Sequence, residues 1–469
     1  IIIRSRILPN LSHQYKDAVE KGDYYYKWKQ AIAENPDCRA IVTLNGVLFN
    51  IQLIDPELVK EFLRQPELYE KRLGGGLVKM LLQDGLFSAE GAVWKRHRKI
   101  DSQAFHFDFI TSQIPVIRNI TKEFISAIRP EEGVIPIRFF QSITGEVVCR
   151  TFFGSNLSSK EFHGQKLHVA YSELMADIFK AMMSPMNVIF GKWYLKYFPD
   201  KRNRSIISRI NQLKKICLEM VLERKESIKQ QGRDGISVRH DLLDILLRYQ
   251  GEHGGDSFND DEIVHEFLTF FIAGLDTTGH TLNMATYYIS RIPEVKQKIL
   301  AEIKKVFGDK RELESITYEE LNRLEYMQAV LNETLRMSTP APTMVSRAAK
   351  RDSFVGDFPI PKKANVVVSF LINNFNTKYF EDPYEFRPER WINSEGKTIS
   401  YHLKGPFIFI PFSAGPRVCI GQSMAIMQAK IILMEFMKTF DFDVPADYKL
   451  RMVRRFAYEP LDVIKLKPR

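Results

Sequence analysis

Cysteine is scarce in this chain, with four among 469 residues: Cys38, Cys149, Cys217 and Cys419. None stands in a C-x-x-C pair or near a histidine at zinc-finger spacing, so a structural zinc site is not expected. Such sparse use suits a reducing compartment, where a thiol stays free to bind a metal. Long apolar runs are also missing. No stretch approaches the roughly 20 residues of a membrane-spanning helix. The sequence opens on Ile1 and not on methionine, so an upstream anchor removed from the chain is left open. Nor does any flavin or nicotinamide glycine fingerprint follow a strand.

Concentrated charge is absent as well. Lysine and arginine outnumber aspartate and glutamate by 67 to 57, a net charge of +10, but the excess is spread along the chain. Without a basic arm or block, nucleic acid is not expected as a partner. A diffuse positive surface is either simply solvated or steers an acidic protein or an anionic lipid surface towards one face.

What is present is an ordinary globular composition, 45% hydrophobic, in a chain long enough to enclose a cavity as well as a core. Length alone suggests about three domains. No linker separates them, however, and one domain over residues 1–469 is expected. Residues 39–54 read as a β-hairpin turning at Asn45-Gly46. From Pro56 to about Gln250 the apolar spacing is helical, interrupted at glycines 74–76, at Pro130 and near Pro185. Polar stretches 230–239 and 251–260 read as loops. A long apolar helix is expected over Asp261–Arg291, closed by Pro293, followed by helices near Pro293–Phe307 and Tyr318–Met337. The next segment turns β-like, with valines at 366–368. The fold class is therefore mainly α with a small β-rich lobe (α+β): β-rich parts near 38–56 and 340–375, and a helical core over 57–337.

Four local patterns carry chemistry. In FSAGPRVCIG, Phe412–Gly421, a cysteine sits just before a helix-prone run, where helix-terminal N–H groups favour thiolate. Gly415 and Gly421 let the backbone approach a flat ligand, and Arg417 can reach an anionic group at its edge. Taken alone, a cysteine is more often a small buried hydrophobe. Within the long helix, Asp276 and Thr277 interrupt apolar sequence, and Thr269, Ile272, Ala273, Asp276 and Thr277 share one helical face that would look into a cavity. A threonine bonded back to a carbonyl, beside Gly274, would let the helix open locally; a kinked core helix is the alternative. Glu333 and Arg336 stand three apart on a helix, as a surface pair would. Trp94 and Arg98 stand four apart, so indole and guanidinium can converge on one carboxylate, or simply form a basic helix end.

These patterns together resemble the cytochrome P450 family. Phe412, Gly415, Arg417, Cys419 and Gly421 fill its FxxGxRxCxG signature; Ala273, Gly274, Asp276 and Thr277 its AGx(D/E)T; Glu333 and Arg336 its ExxR; Trp94 and Arg98 its WxxxR. FRPERW, Phe386–Trp391, resembles the later motif whose arginine, here Arg390, joins Glu333 and Arg336 in a buried triad. The resemblance runs from Trp94 to Gly421, with small departures: Trp391 where phenylalanine is commoner, and Asn374 and Phe375 in place of a frequent His-Arg pair.

The resemblance implies the cytochrome P450 fold, with haem b (iron protoporphyrin IX) buried between the long helix and the cysteine-loop helix. It implies Cys419 as thiolate ligand of the iron, shielded by Phe412, and donating electron density that favours O–O cleavage. Neighbouring backbone N–H groups would restrain that donation. Trp94, Arg98, Arg347 and Arg417 would bind the propionates, Ala273 would lie against the haem, and Thr277 and Asp276 would pass protons to dioxygen. Thr269, Ile272 and Ala273 would line the substrate space.

The expected activity is a monooxygenase that takes two electrons from a separate reductase, NADPH-dependent rather than a ferredoxin, and hydroxylates a lipophilic small molecule of the sterol, fatty acid or xenobiotic class. Specificity segments of the family are apolar here: LVKMLLQDGLF, AMMSPMNVIFGKWYLKYF and TPAPTMV, residues 77–87, 181–198 and 339–345. The middle segment is alternatively core or a membrane-facing patch. The expected location is the cytoplasmic face of the endoplasmic reticulum membrane, with peripheral membrane contact, or else the cytoplasm. A haem-thiolate isomerase or dehydratase needs no proton relay, so Asp276-Thr277 speaks against it. A non-catalytic haem sensor is the rival from another class.

Overall fold

The computed structural model describes residues 2–3, 20–45, 48–71, 76–128, 138–154, 161–162, 164–182, 184–231, 241–253, 257–308, 315–343, 345–400, 405–455, 457–462 and 467–468. The expected hairpin forms from antiparallel strands Ala40–Asn45 and Leu48–Leu53. Asn45 still pairs with Leu48, so the connection is residues 46–47, one position later than expected and outside the described residues. This hairpin is not separate from the later β region. Leu53 pairs in parallel with Val368, and the sheet runs in the order Ile2–Ile3, Ala40–Asn45, Leu48–Leu53, Asn365–Val368, Val345–Ala349, Tyr69–Lys71. Alternate residues of its strands, such as Ile51, Leu53, Val366 and Val368, bury against Leu58 and Phe62 of the helix Pro56–Arg64. Register thus brings Arg347 opposite Lys71, two cations side by side at the sheet edge nearest the core.

The long helix spans Asp260–Arg291. It starts at a capping box: Asn259 Oδ1 accepts from the Glu262 N–H at 2.8 Å, and Glu262 Oε2 accepts from the Asn259 N–H at 2.9 Å. Three acidic residues fill its first turn, complementing the dipole. Most of its length is buried, as its hydrophobicity requires. The helix is continuous through Gly274, so no local opening is present there. That glycine, with Gly279, serves close packing instead: a Cβ at Gly274 would lie 2.4 Å from Val148 Cγ2, and one at Gly279 2.7 Å from Gln141 Cγ. Both partners belong to the helix Arg138–Phe153.

Elsewhere the helical reading needs two corrections, while the interruption expected near Pro185 is present. Tyr318–Met337 is two helices, Tyr318–Asn322 and Glu325–Ser338, parted at Leu324, whose ψ of 71° is not helical. Residues 251–253 belong to the helix Leu242–His253, not to a loop. Pro185 opens the helix Pro185–Tyr197, where a missing N–H costs nothing. Pro130, Gly74 and Gly75, most of the stretch 230–239, and residues 254–256 lie outside the described residues. Among the described residues, no helix is long and apolar enough to cross a membrane.

A buried ion-pair knot fixes the helix Glu325–Ser338 to the loop ahead of the cysteine segment. Arg336 Nε and Nη2 each donate to Glu333 at 2.8 Å, Arg390 Nε at 3.0 Å, and the Trp391 indole N–H at 2.8 Å. Glu333, Arg336 and Trp391 are fully buried. Trp391 is thus a fourth donor, something phenylalanine at that place could not be. Asn374 also fits its setting: Nδ2 donates to the carbonyls of Arg336 and Phe370, while its own carbonyl accepts from Arg336 Nη1 at 2.7 Å. Burial works to raise the Glu333 pKa, but Arg336 and Arg390 win and hold it below the usual carboxylate range. Its contribution to stability is therefore present at neutral pH and lost as the pH falls through that lowered value. Glu333→Ala leaves two buried guanidinium groups uncompensated and is expected to cost about 3–5 kcal/mol in chemical denaturation; a loss under 1 kcal/mol, the level of a surface pair, would place the knot outside the core of the fold.

Candidate active site

The loop before the cysteine folds back because Gly415 adopts φ +73°, a left-handed turn that side chains disfavour, and because the Cys419 N–H donates to the Phe412 carbonyl at 2.9 Å. The helix Gln422–Thr439 begins three residues after Cys419, with Gly421 at its cap and no side chain satisfying its first N–H groups. Cys419 lines a cavity, to which it is exposed. Burial raises its thiol pKa, opposed by the Gly421 N–H bonded to sulfur and by the charge of Arg98.

That cavity, about 310 Å³ and mostly apolar, lies between the long helix and the cysteine-loop helix. Thr269, Ile272, Ala273 and Thr277 line one wall; Phe412, Cys419 and Gly421 line another. The Thr277 hydroxyl donates back to the Ala273 carbonyl at 2.6 Å, as expected. Asp276 departs from the expected face. It is buried but does not line the cavity; its Oδ1 accepts from Gln141 Nε2 at 3.0 Å, and burial pushes its pKa up to about 6. Of the three apolar segments, 77–87 reaches the cavity through Leu86 and Phe87, and 339–345 through Pro340 and Ala341. Among the described residues of 181–198 none does; Met186, Phe190, Trp193, Tyr197 and Phe198 are instead exposed.

Cations gather at one edge of the cavity. Arg98, Arg347 and Arg417 all line it, joined by Lys71, which nothing in the sequence around it marks. Arg417 lies 4.0 Å over the Trp94 ring and donates to the Ala89 carbonyl at 2.9 Å, while its Nη1 is buried with no partner among the described residues. Arg98 donates to the Val418 carbonyl at 3.0 Å. Trp94 and Arg98 therefore meet the cysteine loop through different groups rather than one shared protein carboxylate. Burial, then the charge of Arg347, pushes the Arg417 pKa down to about 10. Lys71 is depressed further by burial and by Arg417 and Arg347; Glu90 is the carboxylate that counters it. A buried cluster with this excess of cations calls for anions. The two propionates of a haem would answer that excess, and the apolar cavity that Cys419 lines would take its ring. Sequence spacing also missed Gln141 and His280 behind Asp276.

Comparison with known proteins agrees with this geometry. Residues 50–461 match the family described as Cytochrome P450. Secologanin synthase 1 of Catharanthus roseus is 28% identical over 440 residues, covering 91% of this chain and 78% of that protein. Cytochrome P450 4V2 of Mus musculus is 29% identical over 367 residues, covering 76% of this chain and 68% of that protein. The crystal structure of the cytochrome P450DA heme domain superposes with a TM-score of 0.79 at 22% identity, over 100% of this chain and 97% of that one. The chain belongs to the cytochrome P450 family: a haem-dependent monooxygenase acting on a small molecule with dioxygen and a redox partner.

Proposed function

We propose that this protein, as one catalytic domain over residues 1–469, hydroxylates a lipophilic small molecule of the sterol, fatty acid or xenobiotic class. The observation that carries the reading is the mostly apolar cavity to which Cys419 and Thr277 are both open. The cofactor is haem b, with electrons from a separate NADPH-dependent reductase. Lys95 and Lys99, exposed on the helix that bears Trp94 and Arg98, suit an acidic docking face on that partner. The exposed aromatic strip from Phe190 to Phe198, with Lys192 and Lys196 between, supports peripheral contact with an anionic membrane surface at the cytoplasmic face of the endoplasmic reticulum.

Cys419 would hold the iron as thiolate, its charge favoured by the Gly421 N–H and Arg98, with the loop held by the Cys419 N–H donated to the Phe412 carbonyl. Trp94, Arg98, Arg347, Arg417 and Lys71 would hold the propionates, and Ala273 and Gly421 would leave room for the ring. When bound, haem supplies the oxygen-activating chemistry of the family. Thr269 and Ile272 shape the substrate space, whose apolar wall excludes bulk water. Thr277, its proton lent to the Ala273 carbonyl, has its oxygen free to accept and order a water, and Asp276 behind it supplies protons.

Two outcomes test this. Thr277→Ala is expected to keep haem and substrate binding while NADPH consumption yields mostly hydrogen peroxide in place of hydroxylated product; fully coupled turnover would remove Thr277 from proton delivery. Arg417→Leu is expected to weaken haem retention about ten- to a hundredfold, measured as transfer to an apo-acceptor protein. Unchanged retention would mean that the cation cluster serves something other than the propionates.

A further inference from the structure

Behind Thr277 a line of polar side chains runs from the interior to the surface. Arg455, partly exposed, donates from Nη1 to Glu459 Oε1 at 2.6 Å. Glu459 Oε2 lies 2.8 Å from His280 Nε2. Gln141 sets one atom, its amide nitrogen, against two buried groups: 3.1 Å from that same His280 Nε2 and 3.0 Å from Asp276 Oδ1. Gly279 makes this possible, since a Cβ there would lie 3.0 Å from the Gln141 Cα. The arrangement draws on three elements: the long helix, the helix Arg138–Phe153 and the hairpin of Met452–Arg454 with Tyr458–Pro460.

An amide nitrogen only donates and an amide oxygen only accepts; a half-turn of the side-chain amide exchanges them. With nitrogen inward, Gln141 donates to an ionised Asp276 and needs a lone pair on His280 Nε2, which requires the proton of the Glu459–His280 pair to leave Nε2 for Glu459, against the lowering of the Glu459 pKa by His280 and Arg455. When that proton moves to Nε2, nitrogen faces N–H, donor against donor. The half-turn that relieves this puts the amide oxygen against Asp276 Oδ1, two acceptors that require a proton between them.

We propose that Gln141 is a two-position switch that ties the protonation of Asp276 to the location of the proton in the surface-linked Glu459–His280 pair. His280 and Gln141 are thus positioning residues that set when Asp276 holds a proton to give. The balance is one proton taken up by Asp276 from water as another shifts from Glu459 to His280; no electrons move. The inference rests on the reading of Asp276 and Thr277 as proton donors. The groups facing the switch are Asp276, Glu459 and Arg455 around His280, and His280, Glu459 and Tyr171 around Asp276. Burial favours neutral His280, but Glu459 outweighs it and raises the imidazole pKa, while Nδ1 has no partner among the described residues to lock the charged form in place.

The sign of one effect separates the switch from ordinary electrostatics. By charge alone His280 lowers the Asp276 pKa, so its removal would raise it. With the switch, His280→Leu frees Gln141 to keep its nitrogen on the Asp276 carboxylate, and the pKa falls. In the holoenzyme, the infrared carbonyl band of protonated Asp276, assigned by its loss in Asp276→Asn, is titrated in the parent and in His280→Leu. A downward shift of about one pH unit is expected; an upward shift overturns the proposal. Gln141→Met provides an independent measurement. The imidazole titration of His280, followed by NMR, is expected to respond to Asp276→Asn in the parent by more than charge removal gives, and in Gln141→Met by charge removal alone. Equal responses overturn the switch. Should Asp276→Asn and Thr277→Ala both leave turnover coupled, the reading of those two as donors fails, whatever the titrations show.

Discussion

On the proposed reading the Cys419 sulfur carries negative charge, and much of the structure answers that demand. Burial alone drives Cys419 towards the neutral thiol. Against it work the Gly421 N–H, the Arg98 charge and the start of the helix Gln422–Thr439, all of which depend on a loop bent at Gly415 and tied by the Cys419 N–H to Phe412. The same burial logic governs the cation edge, where Lys71, Arg98, Arg347 and Arg417 are too many for the carboxylate nearby. A thiolate below and anions at the rim are complementary requirements, and one iron porphyrin with two propionates meets both.

The long helix divides its labour by face. One side presents Thr269, Ile272, Ala273 and Thr277 to the cavity; the other carries Asp276 and His280 into the seam with the helix Arg138–Phe153. Two glycines bring that second helix close enough for Gln141 to reach both acid and imidazole. Packing and the proposed proton chemistry therefore share the same contact. Behind the cysteine loop, the knot of Glu333, Arg336, Arg390 and Trp391 does no chemistry, yet it holds the segment that leads to Phe412.

What the sequence disclosed was chemistry written within one or two turns of chain. The cysteine loop, the Thr277 back-bond, the Glu333–Arg336 pair and the hairpin strands all depend on neighbours a few residues away. Joins across distance were not legible. Lys71 acquires meaning only because strand register sets it opposite Arg347, and Glu459 only because a hairpin some 180 residues on packs against His280. Asp276 shows the limit of helical-face arithmetic. Adjacent to Thr277, it falls on the edge of the stripe, and whether it faces cavity or neighbour is decided by Gln141, a residue on another helix. The connector 181–198 was ambiguous by composition; among its described residues Tyr194 and Leu195 are buried, while Met186, Phe190, Trp193, Tyr197 and Phe198 are exposed.

The central claim is that Cys419, ionised, is the iron's protein ligand. The reduced carbon monoxide adduct of the purified holoprotein tests it most directly, because the position of the Soret band reports the atom bound opposite. The far-red Soret of thiolate ligation is expected, and Cys419→Ser should abolish it. A band at the wavelength typical of imidazole ligation, unchanged by that substitution, would contradict the account.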